Sequence, residues 1–223
     1  RRDHRERRDP RRLDRSADGQ VTALANLEPY HAPGARLAVE PVRFSGDRSG
    51  LLRFATSAQL SGPLAGGRID RLSVPLNGFL APTGALALNG GCSRVSAERI
   101  EVGGFRLART AIDLCSRPGA PLLSAGPGGL RGDVRVPGLR LRGASGSSPF
   151  AFDSGPAQID LAVMRWSLAR ADVQMGEGES VTRFAADSLS GRGTAQGMAG
   201  ELRGARGKIG AVPLNMSEIA GQW

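Results

Sequence analysis

From about Arg36 to Trp223 the chain alternates short apolar/polar runs with Gly and Pro punctuation, and this rhythm constrains the fold more than any other feature. Leu51-Leu52-Arg53-Phe54-Ala55-Thr56-Ser57-Ala58-Gln59-Leu60 stops at Ser61-Gly62-Pro63, and Arg68-Ile69-Asp70-Arg71-Leu72-Ser73-Val74-Pro75-Leu76 follows at once. A period of two puts one face of a strand toward apolar company and the other toward water. Repeated over the whole chain, it predicts an all-β protein with one long apolar sheet face.

The connections are mostly two to eight residues, too short for helical crossovers, so successive strands should pair antiparallel as a meander. Strands are expected over 36–44, 50–60, 67–76, 84–88, 96–102, 105–114, 121–124, 130–136, 139–143, 150–152, 158–168, 171–175, 182–189, 198–205 and 208–214. Pro75 and Pro137, inside such runs, imply edges or bulges. A continuous sheet of this length must curl as strand twist accumulates. Ahead of it, residues 1–20 read as a disordered basic tail, with eight Arg among the first fifteen residues against Asp3, Glu6, Asp9 and Asp14. Residues 21–34 read as a linker or a short helix ending before Pro29, and 35–223 as the sheet domain.

Gly is abundant, at 32 of 223 residues, and aromatics make up only 4%. A core would therefore be built from Leu, Val, Ile and Ala, which suits an extended sheet sharing its apolar side with something else. The net charge of +9 is carried almost wholly by Arg. Interleaved acids in the tail argue against nucleic acid as a partner, and a solvated linker accounts for it better. No apolar run is long enough to span a bilayer. The chain begins with Arg, not Met, which reads as a cut end with any targeting or anchoring segment outside it.

Searches for chemistry come up short, and the chain reads as a non-enzyme without metal or other cofactor. Asp153-Ser154-Gly155, with Ile209-Gly210 downstream, has the outline of an aspartic-protease loop. That reaction needs two carboxylates sharing a proton, and no second Asp-Ser/Thr-Gly exists. His4 falls in the tail and His31 in a Pro/Gly loop, so neither has partners for a metal or a triad. Cys92 and Cys115 cannot make a zinc site by themselves. They read as one disulfide closing a loop of about 24 residues, worth roughly 3 kcal/mol, which implies an oxidising compartment. Two buried free thiols are the alternative.

The apolar faces remain as the candidate site. Leu52, Phe54 and Leu60 lie on one side of their strand, and Leu72, Val74 and Leu76 on one side of the next. Ile100 and Val102, then Leu107, then Ile112 and Leu114 continue the set. Val134 and Val136, followed by Ile159, Leu161 and Val163, complete it. These residues could form the core of a sandwich closed by a second sheet, or the floor of a groove wetted by acyl chains. Periodicity alone leaves both open, with the sandwich the commoner outcome.

The run Gly66-Gly67-Arg68-Ile69-Asp70-Arg71-Leu72-Ser73-Val74-Pro75-Leu76-Asn77-Gly78, then Leu88-Asn89-Gly90-Gly91-Cys92 and Leu114-Cys115, resembles the YdbH family of AsmA-like envelope proteins. Gly146-Ser147-Ser148-Pro149-Phe150 and Gly207-Lys208-Ile209-Gly210-Ala211-Val212-Pro213-Leu214 add to the likeness, which covers about Pro41 to Trp223. The resemblance implies an interior slice of a periplasmic protein anchored in the inner membrane. Its long curled sheet (a β-taco) would form a groove carrying phospholipid between inner and outer membranes. Evenly spread aliphatic residues without aromatic hot spots would let the cargo slide. A different class of function would be an envelope scaffold or assembly module that binds another β-protein through its sheet edges.

Overall fold

In the computed structural model, the described residues are 12–15, 20–64, 66–194, 197–209 and 212–222. Among them are 22 strands and a single 3-10 turn, Gly178–Ser180, and all the strands belong to one antiparallel sheet. Several short strands are consecutive pieces of one longer rung. Leu86–Gly90, Cys92–Ala97 and Arg99–Val102 all pair with the single strand Gly67–Leu80, so 86–102 acts as one rung. On the same reading 105–126 pairs back on 86–102, 129–145 on 105–126, and 148–160 on 129–145. The unbroken strands Arg165–Met175, Thr182–Thr194, Gly197–Ile209 and Val212–Gln222 follow. The topology is an up-and-down meander, each rung joined to the one before and the one after. Among the described residues no pairing joins the last strand to the first.

Four parts of the chain differ from the expectation. Residues 21–34 hold no helix: Val21–Ala25 pairs with Val42–Gly46, and Tyr30–Ala32 pairs with Ala35–Val39. Val21, Ala23 and Ala25 alternate with Thr22 and Leu24, and a waiting sheet edge turns that alternation into a strand whatever its helix propensity. His31 accordingly sits in a strand opposite Arg36. Within the tail, Arg12–Arg15 forms a strand on Val21–Ala25, while residues 1–11 and 16–19 lie outside the described residues. Finally, the expected strand 158–168 is two strands separated by a turn at 161–164, and the expected break at Arg206-Gly207 is absent, since Gly197–Ile209 runs through it.

Directly opposed residues point to the same side of a sheet, so register assigns faces. Leu52, Phe54, Ala58 and Leu60 oppose Leu80, Gly78, Val74 and Leu72 on one face. Arg53, Ser57 and Gln59 oppose Phe79, Pro75 and Ser73 on the other. Followed rung by rung, the first face stays apolar and the second carries the charge.

That bookkeeping exposes a crease. At one matching position along each rung from 67–80 to 197–209, the alternation slips. Where whole strands or adjoining strand ends flank the slip, two residues of the apolar face stand three apart instead of two: Ile69 and Leu72, Ala97 and Ile100, Leu107 and Thr110, Ser154 and Ala157. Leu168 and Ala171, Ala186 and Leu189, and Leu202 and Ala205 continue the row. In the rung 129–145, Pro137–Leu139 occupy the slip. At three of these points a residue adopts left-handed backbone: Arg71, Arg170 and Gly204, with φ of 48°, 50° and 60°. An extra residue on one face lengthens that side and bends the strand. Here the extra residues, such as Asp70 with Arg71, lie on the charged face, so the sheet folds toward the apolar one. Burial agrees with this direction. Ala97, Ala171, Ala186 and Ala205 on the apolar face are 2–6% exposed, as an inside corner requires.

Overpacking that corner provides a test of the bend. Ala186→Leu is expected to lose about 2 kcal/mol, while Ala185→Leu, one residue away on the opposite face, loses little. Equal urea midpoints for the two variants would contradict an inside corner at Ala186.

Candidate functional site

The concave face of the creased sheet is the candidate site. Of the residues singled out above, Leu52, Phe54, Leu60, Leu72, Val74, Leu76, Ile100, Val102, Leu107, Ile112, Leu114, Val134, Val136 and Ile159 all fall on it by register. Ile112 opposes Val95, Val134 opposes Ile159, and Ile100 opposes both Ile69 and Leu107. Leu161 and Val163 do not belong to the strand row. They lie in the turn 161–164, where Asp160 Oδ1 accepts the Ala162 N–H at 2.9 Å and ends the strand. Leu161 is half-buried, with its Cδ1 packed over Gly132, whereas Val163 is 55% exposed.

Every strand belongs to the one sheet, so among the described residues only the sheet's own two walls can cover this face. Leu60, Leu80, Val102 and Ile159 on it remain 37–41% exposed, and no large side chain among the described residues is fully buried. The chain exposes 15451 Å², against roughly 9,700 Å² for a compact monomer of this mass. Twenty fully extended residues would supply only about 3,200 Å² of the difference. A compact closed sandwich does not account for this area. The apolar face is buried at the crease, where Ile69, Leu107, Val136, Ala171, Ala186 and Ala205 are 2–8% exposed, and open on the walls beside it. Seven rung spacings separate the strands Gly67–Leu80 and Gly197–Ile209, so the creased floor is about 34 Å long.

Aromatic side chains are not spread evenly. Of the seven Phe, Phe44, Phe54, Phe105, Phe150, Phe152 and Phe184 lie on the concave face, and only Phe79 lies on the outer one. Phe105, Phe150, Phe152 and Phe184 gather on one wall of the crease, with the Phe105 and Phe150 ring centroids 4.7 Å apart. Sequence spacing could not group them, because meander register decides which distant residues become neighbours. The rung between these two rings carries Gly143, opposite both Leu107 and Phe150. A Cβ at Gly143 would run into the Arg106 carbonyl oxygen. Gly143→Ala is expected to cost about 1–3 kcal/mol, read as a lower urea midpoint.

The outer face carries the charge. Its ion pairs include Arg68–Asp70 at 2.8 Å, Arg117–Asp133 at 2.6 Å, Arg206–Asp187 at 2.9 Å and a contact between Arg71 and Glu98. Open clefts of about 500 and 660 Å³ lie between its side-chain rows, the first lined by Thr22, Arg43, Ser45 and Arg53, the second by Cys115, Arg135, Gln158 and Ser167. Cys92 and Cys115 oppose each other on this face and are joined by a disulfide. Asp153, the protease-like carboxylate, also points outward from the strand Ser148–Ser154, and both its oxygens accept from Arg142 Nη2 at 2.9 Å. Ser154 Oγ accepts from the Leu139 N–H and donates to the Gly155 carbonyl, which makes it part of the crease. Gly210 lies outside the described residues. Among the described residues no cluster of His, Cys, Asp or Glu could hold a metal ion, and no helix is long and apolar enough to cross a membrane.

Comparison with models of protein families, with characterised proteins and with solved structures finds no match.

Proposed function

We propose that the chain is a segment of an AsmA-like, YdbH-type bridge that carries phospholipids through the periplasm, their acyl chains lying in the creased apolar face. One observation supports this reading above the rest: an apolar concave face about 34 Å long, buried at its crease but with Leu60, Leu80, Val102 and Ile159 still 37–41% exposed on the walls. A membrane leaflet's hydrocarbon is about 15 Å thick, so the exposed walls are long enough for an acyl tail laid beside the crease. Each buried CH₂ contributes about 0.8 kcal/mol, while a headgroup at the open side keeps its water.

The Phe105–Phe150–Phe152–Phe184 wall changes the expected motion of the cargo. An even aliphatic floor has no preferred stopping point. A wall with four rings gives contacts richer than its surroundings, so lipid should pause there between steps. The disulfide fits an oxidising compartment such as the periplasm.

Native mass spectrometry of protein extracted from membranes tests the reading. Adducts with phospholipid masses are expected, and lipid-free protein under conditions that keep the sheet folded would overturn it.

A further inference from the structure

The turn at Leu161–Met164 combines features that neither the sheet nor the crease needs. Val163 and Met164 are 55% and 61% exposed at its tip. The strand that follows starts with Arg165, which stands directly opposite Arg192 on the neighbouring rung. Like charges facing each other across a ladder are destabilising. Among the described residues neither guanidinium has a carboxylate within ion-pair distance. Asp160 also opposes Arg165, but its Oδ1 accepts the Ala162 N–H and holds the turn. Asp133, one rung further, is occupied by Arg117 at 2.6 Å, with Arg135 at 3.7 Å. Met164 is pinned through its carbonyl, which accepts the Gly193 N–H at 2.8 Å, so the two arginines and the apolar tip keep a fixed relation.

We infer that this corner is a docking tip for an anionic phospholipid surface, with Val163 and Met164 entering the headgroup layer and Arg165 and Arg192 sharing lipid phosphates. An uncompensated pair of guanidiniums is matched by oxyanions, and two exposed apolar side chains beside it are matched by the acyl boundary of a bilayer. The tip stands where one rung ends and the next begins, at one rim of the trough. The inference builds on the trough reading, since it supplies a place where lipid could pass between bilayer and floor.

The test is vesicle flotation of the whole chain with phosphatidylcholine alone and with phosphatidylglycerol added. Binding is expected only to the anionic vesicles and should weaken as salt rises. Arg165→Gln with Arg192→Gln should reduce partitioning about thirtyfold, and Val163→Ser with Met164→Ser should also reduce it. The melting temperature of the Gln pair, measured without vesicles, should stay level or rise, because a like-charge contact is removed. Unchanged partitioning of either pair, no binding by the parent chain, or equal binding to neutral vesicles would overturn the inference. So would inorganic phosphate raising the parent's melting temperature while vesicles fail to bind, which would mark a soluble-anion site. Tip variants that lose vesicles but keep lipid adducts leave the trough standing. A chain that binds vesicles yet never carries lipid removes the trough and leaves the tip.

Discussion

Replacing both Cys92 and Cys115 by Ser is expected to lower stability by about 3 kcal/mol and the melting temperature by roughly 6–12 °C. The bond spans 23 positions of sequence and joins the rungs 86–102 and 105–126 at the end of the ladder between Cys92–Ala97 and Thr110–Cys115. On one side, Asn89 takes left-handed backbone with φ of 49° and turns its side chain to the preceding rung. There its Oδ1 accepts the Asn77 N–H and its Nδ2 donates to the Pro75 carbonyl. On the other, Ser116 leaves the strand and bonds Gly91 through both its Oγ and its N–H. The disulfide bridges these two irregular stretches on the outer face, so it restricts the unfolded chain without touching the trough. The serine variant should therefore retain lipid at temperatures where it is still folded. Urea melts of oxidised parent, reduced parent and serine variant decide the matter. A loss below about 1 kcal/mol would mean that the ladder alone fixes these rungs.

Much of the architecture was legible because period-two alternation is a local property. Leu52 to Leu60 and Leu72 to Leu76 announce their own strands, and short Gly-bearing connections leave a meander as the simplest way to pair them. The inner-face residues from Leu52 through Ile159 follow from the same signal. Leu161 and Val163 were misread because the run Gln158–Leu168 looks continuous, and nothing apolar marks its interruption. What ends the strand is the Asp160 carboxylate bonding forward to Ala162, whereas Asp113 and Asp172 sit inside outer-face rows without ending them. Val21–Ala25 shows the opposite failure. Its composition tolerates a helix, and only an available partner at Val42–Gly46 makes it a strand. The crease was out of reach for a further reason. A single slip in one strand looks like a boundary or a bulge, and it becomes a fold line only when neighbouring rungs slip at matching register. Arg71, Arg170 and Gly204 are far apart in sequence, and pairing alone aligns them.

A carboxylate at Ile112 is expected to empty the trough, while the same change one residue earlier leaves it loaded. Ile112 opposes Val95 on the concave face, and Ala111 opposes Ser96 on the outer one. Both positions belong to the same strand, Thr110–Cys115, and neither is fully buried, so the two variants differ chiefly in the direction of the side chain. In Ile112→Glu the carboxylate must keep its water, and an acyl chain crossing it loses contact over about four CH₂ groups, near 3 kcal/mol. That is a hundredfold or more in lipid affinity. Ala111→Glu places its charge among Arg94, Asp113 and their neighbours, where charge already resides, and no loss is expected. Phe152→Glu repeats the test on the aromatic wall, with Ala151→Glu as its outward partner. Lipid adducts in native spectra, normalised to folded protein by the urea midpoint, separate binding from stability. If lipid disappears in the outward pair as well, the effect is electrostatic and not a matter of an apolar floor. If it survives in the inward pair with the sheet intact, hydrocarbon does not lie along the crease, and the transport reading fails with it.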